Sequence, residues 1–185
     1  MRKHLLVALA VTSLVIVFLW IYGRFAGKLY FVLDDPIETL TALSVSLPQA
    51  VADSFSGQIN WSGYRPVSYA IRATLAHLFT LDMMAGYYLA SMGLHLANTL
   101  LIFALLQRLW KQIGWVFLAA MIFLLLPSHN EAVLYMSANA NLLALFFVLL
   151  TLHLALGGKA RNNPLLAAAS VVAYLLAVLA YEVVL

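Results

Sequence analysis

Residues 5–23 read LLVALAVTSLVIVFLWIYG, an apolar run without a charged side chain. A helix of about 20 apolar residues is long enough to cross the hydrocarbon core of a bilayer. Basic residues precede the run, as in a signal peptide, but the run is long for one and no small-residue cleavage site follows it. The stretch therefore predicts a membrane anchor that the protein retains.

The rest of the chain has the same apolar character. Hydrophobic residues make up 65% of the sequence and charged residues 9%, whereas soluble domains carry roughly 25% charged residues. A chain of 185 residues has too little interior to hide so much apolar surface from water. Further spans are predicted at about residues 83–107, 113–127, 140–157 and 165–185. We therefore predict an all-α integral membrane protein with about five transmembrane helices, in a single transmembrane domain over residues 1–185.

Several chemistries are excluded or unsupported by the composition. The sequence contains no cysteine, which excludes disulfides and thiolate metal sites. The histidines are spread over different segments without metal-ligand spacing. No block of like charges indicates a nucleic-acid partner. We expect no metal, no cofactor and no nucleic acid, and membrane lipid as the surroundings.

The basic residues predict the orientation of the spans, because cytoplasmic loops carry an excess of Lys and Arg. With the N-terminus in the cytoplasm, the cytoplasmic segments hold these basic residues and no acid: Arg2, Lys3, Arg108, Lys111, Lys159 and Arg161. All seven acidic residues then lie on the outer side. We expect a multi-pass protein of the plasma (inner) membrane with its active side outside the cytoplasm.

The first outer loop, residues 24–82, is too long to be a simple connector. Residues 37–54 can form an amphipathic helix broken near Pro48. Residues 66–81 can form a second one, since Pro66 is well placed at a helix start. Such helices are predicted to lie in the membrane interface rather than to cross it.

This loop contains two candidate functional sites, an acidic doublet and an arginine. Asp34 and Asp35 are adjacent carboxylates that repel each other, which makes one of them a better proton acceptor. The same Asp-Asp-Pro stretch is ordinary turn chemistry, and both interpretations stay open. Arg65 stands at the foot of the second amphipathic helix, where its planar guanidinium can clamp a lipid phosphate. It can equally serve as an anchor that binds bulk headgroups.

Polar residues also occur in and beside the spans. His95 and Asn98 are three residues apart and share one face of the second span, either for an interhelical hydrogen bond or for a site. His129 and Glu131 follow Pro127 at the outer end of the third span. Glu182 lies near the outer end of the fifth, and apolar residues follow it. We expect the chain to be the front part of a longer protein.

The order of these motifs along the chain is more specific than any one of them. The stretches are FVLDD at 31–35, WSGYRPV at 61–67, LHLANTLL at 94–101 and PSHNEAV at 127–133, with YLLAVLAYE at 174–182 as a weaker fifth. The sequence resembles the C-type glycosyltransferase superfamily of polytopic enzymes that use sugars linked to polyprenyl phosphate. It is most similar to the transmembrane and tetratricopeptide-repeat O-mannosyltransferases and their bacterial relatives.

The resemblance implies a role for each candidate residue. An aspartate of the first outer loop is the catalytic base, which by position is Asp34 or Asp35, with Asp34 favoured. Residues near the donor phosphate correspond to Arg65, His129 and Glu131. The supporting residues are His95, Asn98 and Glu182. The donor substrate is a polyprenyl-phosphate sugar, and the acceptor is a hydroxyl of a protein or glycan.

Two other classes of protein remain as alternatives. One is a non-catalytic or truncated membrane scaffold. The other is a subunit that transports lipid-linked sugars, which typically places ionisable pairs at the middle of the bilayer within an inverted repeat. Here the strongest polar groups gather at the outer interface, which favours chemistry at that interface.

Overall fold

The computed structural model describes residues 2–25, 31, 35–58 and 63–182, and all regular secondary structure among them is helical. The first helix, α1 (Arg2–Tyr22), ends in a short 3-10 turn at Gly23–Phe25. The helices that follow are α2 (Asp35–Leu43), α3 (Leu47–Ser56), α4 (Pro66–Phe79), α5 (Met84–Leu109), α6 (Ile113–Leu125), α7 (Asn130–Leu134), α8 (Ala140–Arg161) and α9 (Pro164–Ala180). The all-α prediction is thus confirmed for the described residues.

Three of these helices, α1, α5 and α8, are long and apolar enough to cross a membrane. A fourth candidate is α6 together with Pro127–Leu134, a pair bent by 47°. Helix α9 is apolar but has only 17 residues. Each of the five predicted spans therefore contains a helix, and three or four of these helices meet the length and composition expected of a membrane-crossing helix. In the fifth span the helix ends at Ala180, and residues 183–185 lie outside the described residues.

The tight turn between α8 and α9 follows from its sequence. Asn162 adopts the left-handed conformation that ends α8, with φ of 48°. The Asn163 side chain caps α9 by accepting a hydrogen bond from the Leu165 backbone N–H. Pro164 occupies the first position of the helix, where a backbone N–H would have no partner within the helix, so its missing N–H costs nothing. Gly158 allows the two helices to approach, because a Cβ there would lie 3.1 Å from the Ala167 backbone nitrogen.

Helices α2, α3 and α4 form a layer over one end of the bundle, which we name the capped end. The opposite end, with the α5–α6 and α8–α9 turns, is named the turn end. Helices occur where the outer-loop helices were predicted, with the break between α2 and α3 just before Pro48 and the start of α4 at Pro66. Their placement in the membrane interface stays a prediction. Buried alanines pack these helices closely: Ala42, Ala50, Ala73 and Ala76. An ion pair between Glu38 of α2 and Arg72 of α4 is nearly enclosed, with side chains only 10% and 5% exposed.

Several helices end against the middle of α5. The ring of Tyr22, the last residue of α1, lies 5.5 Å from the ring of His95. The carbonyl of Leu124, near the end of α6, and that of Leu142, at the start of α8, are both reached by α5 side chains. The first part of α5 therefore extends past these helix ends, and the α2–α4 layer covers the face that carries Tyr87 and Tyr88.

Candidate functional site

His95 and Asn98 are fully buried where these helix ends meet. The Nε2–H of His95 donates to the Leu124 carbonyl at 3.4 Å, and the Nδ2–H of Asn98 donates to the Leu142 carbonyl at 2.8 Å. The last carbonyls of a helix have no hydrogen-bond partner within that helix. His95 of α5 therefore satisfies the Leu124 carbonyl, which α6 itself leaves unpaired. Both residues therefore make the interhelical hydrogen bonds that their spacing predicts.

The same face of α5 retains unused hydrogen-bonding capacity. Ser91 Oγ, His95 Nδ1 and Asn98 Oδ1 are buried and have no hydrogen-bond partner among the described residues. A buried polar atom left unsatisfied costs roughly 1–3 kcal/mol. Each of these atoms therefore has capacity for one further hydrogen bond, for example to a water molecule.

His129 folds back against this buried stripe. The chain bends after α6 at Pro127, and the His129 Nδ1–H then donates to the Phe123 carbonyl at 2.9 Å. Its ring centroid lies 4.5 Å from that of Phe123 and 5.5 Å from that of His95. Glu131 lies two residues further on, in α7, and is exposed. The bend thus joins two histidines that are 34 positions apart in the sequence.

Arg65 and Glu182 form a bidentate ion pair between the start of α4 and the residues just after α9. The Arg65 Nε and Nη2 donate to the two carboxylate oxygens at 2.7 and 2.6 Å, and the guanidinium lies 4.2 Å from the centre of the Tyr181 ring. The hydrogen bond from Arg65 is the main reason that the pKa of Glu182 is lowered, and it raises the pKa of Arg65. The predicted phosphate clamp therefore already holds a carboxylate.

Two further features fix this contact. Ser68 Oγ donates to the Ala180 carbonyl at 2.7 Å, satisfying a carbonyl in the last turn of α9. Gly63 has a φ of 135°, and a Cβ there would lie 2.9 Å from Glu182 Oε1. Only glycine therefore fits beside the carboxylate. Both contacts link residues more than 100 positions apart, which explains why sequence reasoning missed them.

Asp35 is the other acidic group of the site. It is the first residue of α2, is fully buried, and is close enough to Tyr88 of α5 to interact electrostatically with its hydroxyl. Tyr88 precedes His95 by two turns of α5, a rise of about 10 Å. Asp34, which the family resemblance favours as the base, lies outside the described residues, so the structure does not compare the two aspartates. Asp35, the described member of the acidic doublet, thus starts a helix and is enclosed.

The Arg65–Glu182 pair predicts a pH dependence of stability. Because the pKa of Glu182 is lowered on folding, the pair stabilises the fold above the ordinary value of 4.5 and loses this effect as the pH falls below it. The Glu182 side chain is 45% exposed, so the loss is expected to be modest, about 0.5–1 kcal/mol. Thermal unfolding in detergent measures it. The part of the low-pH loss of stability that comes from this pair should be absent in Glu182→Gln. If the stability of this variant falls with pH as much as that of the parent protein, the pair is not the cause.

The described residues thus define a helical bundle in which buried polar side chains of α2, α4 and α5 gather towards the capped end. Within those residues, no group of three or more His, Asp or Glu lies close enough to hold a metal ion. No family model matches the chain, and neither a curated protein nor a solved structure matches it.

Proposed function

We propose that the chain is a multi-pass membrane glycosyltransferase that moves a sugar from a polyprenyl phosphate to an acceptor hydroxyl at the outer face of the plasma membrane. The observation that carries the proposal is the enclosed carboxylate of Asp35 at the capped end of the bundle. Burying an ionisable group is costly, and such groups in membrane proteins mark functional sites. The sequence motifs around the acidic doublet support the same class of enzyme.

The charge distribution supports the orientation. Described basic residues at the turn end are Lys3, Arg108, Lys111, Lys159 and Arg161, and the described acids all belong to the capped end: Asp35, Glu38, Asp53, Asp82, Glu131 and Glu182. Cytoplasmic ends of spans are rich in Lys and Arg. This distribution supports a cytoplasmic turn end and a capped end at the outer face.

An apolar groove at the capped end is a candidate site for the polyprenyl tail. It lies between α4 and α5, has a volume of about 530 Å³, and is lined by Leu75, Leu78, Phe79, Met83, Leu89 and Ala90. Gly86 lets the Phe79 ring lie against the α5 backbone, because a Cβ there would be 2.4 Å from that ring. Tyr87, which contacts Phe79, and Tyr88, near Asp35, are neighbours on α5. The groove lies on a different face of α5 from Tyr88, so it supplies apolar surface for the tail and does not itself place the phosphate at Asp35.

The proposed reaction is a single displacement. One carboxylate of the doublet takes the proton of the acceptor hydroxyl while the oxygen bonds to the anomeric carbon. The bond from that carbon to the phosphate oxygen breaks, so polyprenyl phosphate leaves and the anomeric centre inverts. The leaving phosphate needs positive charge or hydrogen-bond donors, and the candidates for this role are Arg65 and His129. Since Arg65 holds Glu182, the phosphate would compete with that carboxylate for the guanidinium.

Vesicles containing the purified chain test this function. With a radiolabelled polyprenyl-phosphate hexose and a mixture of acceptor peptides and glycans, we expect labelled product that depends on the chain and on the lipid-linked donor. Movement of the intact donor across the vesicle membrane without a new glycosidic bond would instead identify a transporter. If the chain binds the donor but neither forms product nor moves the donor across the membrane, the result would identify a scaffold.

The absence of cysteine makes the orientation directly testable. Single cysteines at exposed Ser56 of α3 and exposed Arg161 of α8 are matched reporters for the two ends. In whole cells, a membrane-impermeant maleimide is expected to label Ser56→Cys and not Arg161→Cys. The reverse pattern would place the acidic doublet in the cytoplasm and remove the proposed reaction.

A further inference from the structure

A second cavity lies at the turn end, at the opposite end of the bundle from Asp35. It has a volume of about 560 Å³ and is formed by the α5–α6 turn and one face of α6. Its lining includes Trp110, Lys111, Gln112, Trp115, Leu118 and Ile122. Helix α6, with 13 residues, is about 20 Å long and runs from this cavity towards the capped end.

The cavity wall is the side of α6 that faces away from the bundle. Trp115, Leu118 and Ile122 recur at helical spacing and are 64%, 45% and 54% exposed. The opposite side of the helix is packed, since Val116 and Ala120 are fully buried. The stripe is thus an uncovered apolar strip with an aromatic ring at the end nearest the turn.

The mouth of the cavity has the opposite character. Lys111 and Gln112 are both exposed there, and Trp110 beside them is 56% exposed. The described acids belong to the capped end, so the charge at this mouth is positive. Arg108 in the same region is directed towards α8, where its Nη1 donates to the His153 carbonyl at 3.2 Å. Lys111 is therefore the cation that the cavity itself presents.

The order of charged, aromatic and aliphatic surface along the cavity matches the order of the parts of a phospholipid. A cation meets the phosphate, tryptophans suit the glycerol region at the membrane interface, and an aliphatic strip suits the acyl chain. Helix α6 is also shorter than the hydrocarbon core of about 30 Å. A headgroup held by Lys111 would lower the cost of that mismatch by drawing the lipid towards the helix.

We propose that this cavity is a binding site for one anionic phospholipid of the leaflet at the turn end. Its phosphate lies at Lys111, its glycerol region lies between Trp110 and Trp115, and one acyl chain follows Leu118 and Ile122. The site is independent of the proposed transferase reaction.

Tryptophan fluorescence in vesicles tests the site, because its two tryptophans are natural reporters. Trp20 and Trp61 are first replaced by phenylalanine, so that emission comes from Trp110 and Trp115 alone. The probes are phosphatidylglycerol and phosphatidylcholine with brominated acyl chains, which quench tryptophan on contact. We expect phosphatidylglycerol to reach half-maximal quenching at about a fivefold lower mole fraction, the preference that one lysine near a membrane surface supplies.

Matched variants decide whether this preference belongs to the cavity. Lys111→Gln is expected to make the two lipids quench equally, and Lys159→Gln, at the other turn of the same end, is expected to leave the preference intact. High salt should also reduce the preference, since it screens the lysine. Equal quenching by both lipids in the parent protein would mean bulk annular lipid only. Loss of the preference in Lys159→Gln as well would assign it to the general surface charge, and either result overturns the site.

Discussion

Asp35→Asn is expected to reduce sugar transfer by about 100-fold or more, the amount that a positioned general base contributes. The amide has nearly the same size as the carboxylate and fits the same enclosed position at the start of α2. It cannot take the proton from the acceptor hydroxyl, so the rate falls while the fold persists. The measurement is the initial rate of transfer in vesicles, normalised to inserted protein with an unchanged thermal unfolding midpoint.

The control for this variant is another carboxylate of the same layer. Asp53 of α3 accepts a hydrogen bond from Gln49 at 2.6 Å and lies outside the acidic doublet. Asp53→Asn should therefore transfer sugar at the parent rate. Asp34→Asn is measured alongside, because either member of the doublet fits the motif. Parent rates in both Asp34→Asn and Asp35→Asn would exclude the doublet as the source of the base.

Local features of the fold follow from the sequence alone. Pro48 and Pro66 mark helix starts because proline lacks an N–H and has a fixed φ, and both properties act within one turn. The structure places α3 and α4 accordingly. The spacing of His95 and Asn98 likewise predicts a shared face and interhelical hydrogen bonds. It does not identify their partners, since Leu124 and Leu142 offer only backbone carbonyls, which every residue carries.

Long-range pairs were beyond such reasoning. Arg65 and Glu182 are 117 residues apart, and their contact depends on α4 lying across the end of α9. The return of His129 to His95 depends in the same way on α6 ending early and bending at Pro127. Sequence reasoning identified Arg65, Glu182, His95 and His129 as polar residues worth attention. Their pairing is a property of packing, which no local pattern encodes.

Removing one partner of the Glu38–Arg72 pair is expected to destabilise the α2–α4 layer by about 3–5 kcal/mol, because the remaining charge is left buried without its counterion. Both side chains are at least nine-tenths enclosed, and the buried alanines of this layer carry no polar group that could replace a lost partner. Glu38→Gln and Arg72→Met are therefore each expected to open this layer locally while the long helices stay folded. Amide hydrogen exchange measures the effect, with faster exchange expected in α2 and α4 and unchanged exchange in α8.

In the double variant Glu38→Met/Arg72→Met both charges are gone and apolar groups of similar length fill the space, so protection should largely return. The exposed Gln49–Asp53 contact is the matched control, since Gln49→Ala should cost at most about 0.5 kcal/mol. If protection in α2 and α4 is lost equally in the double variant and in the single variants, the layer depends on the shape of these side chains and not on their charge.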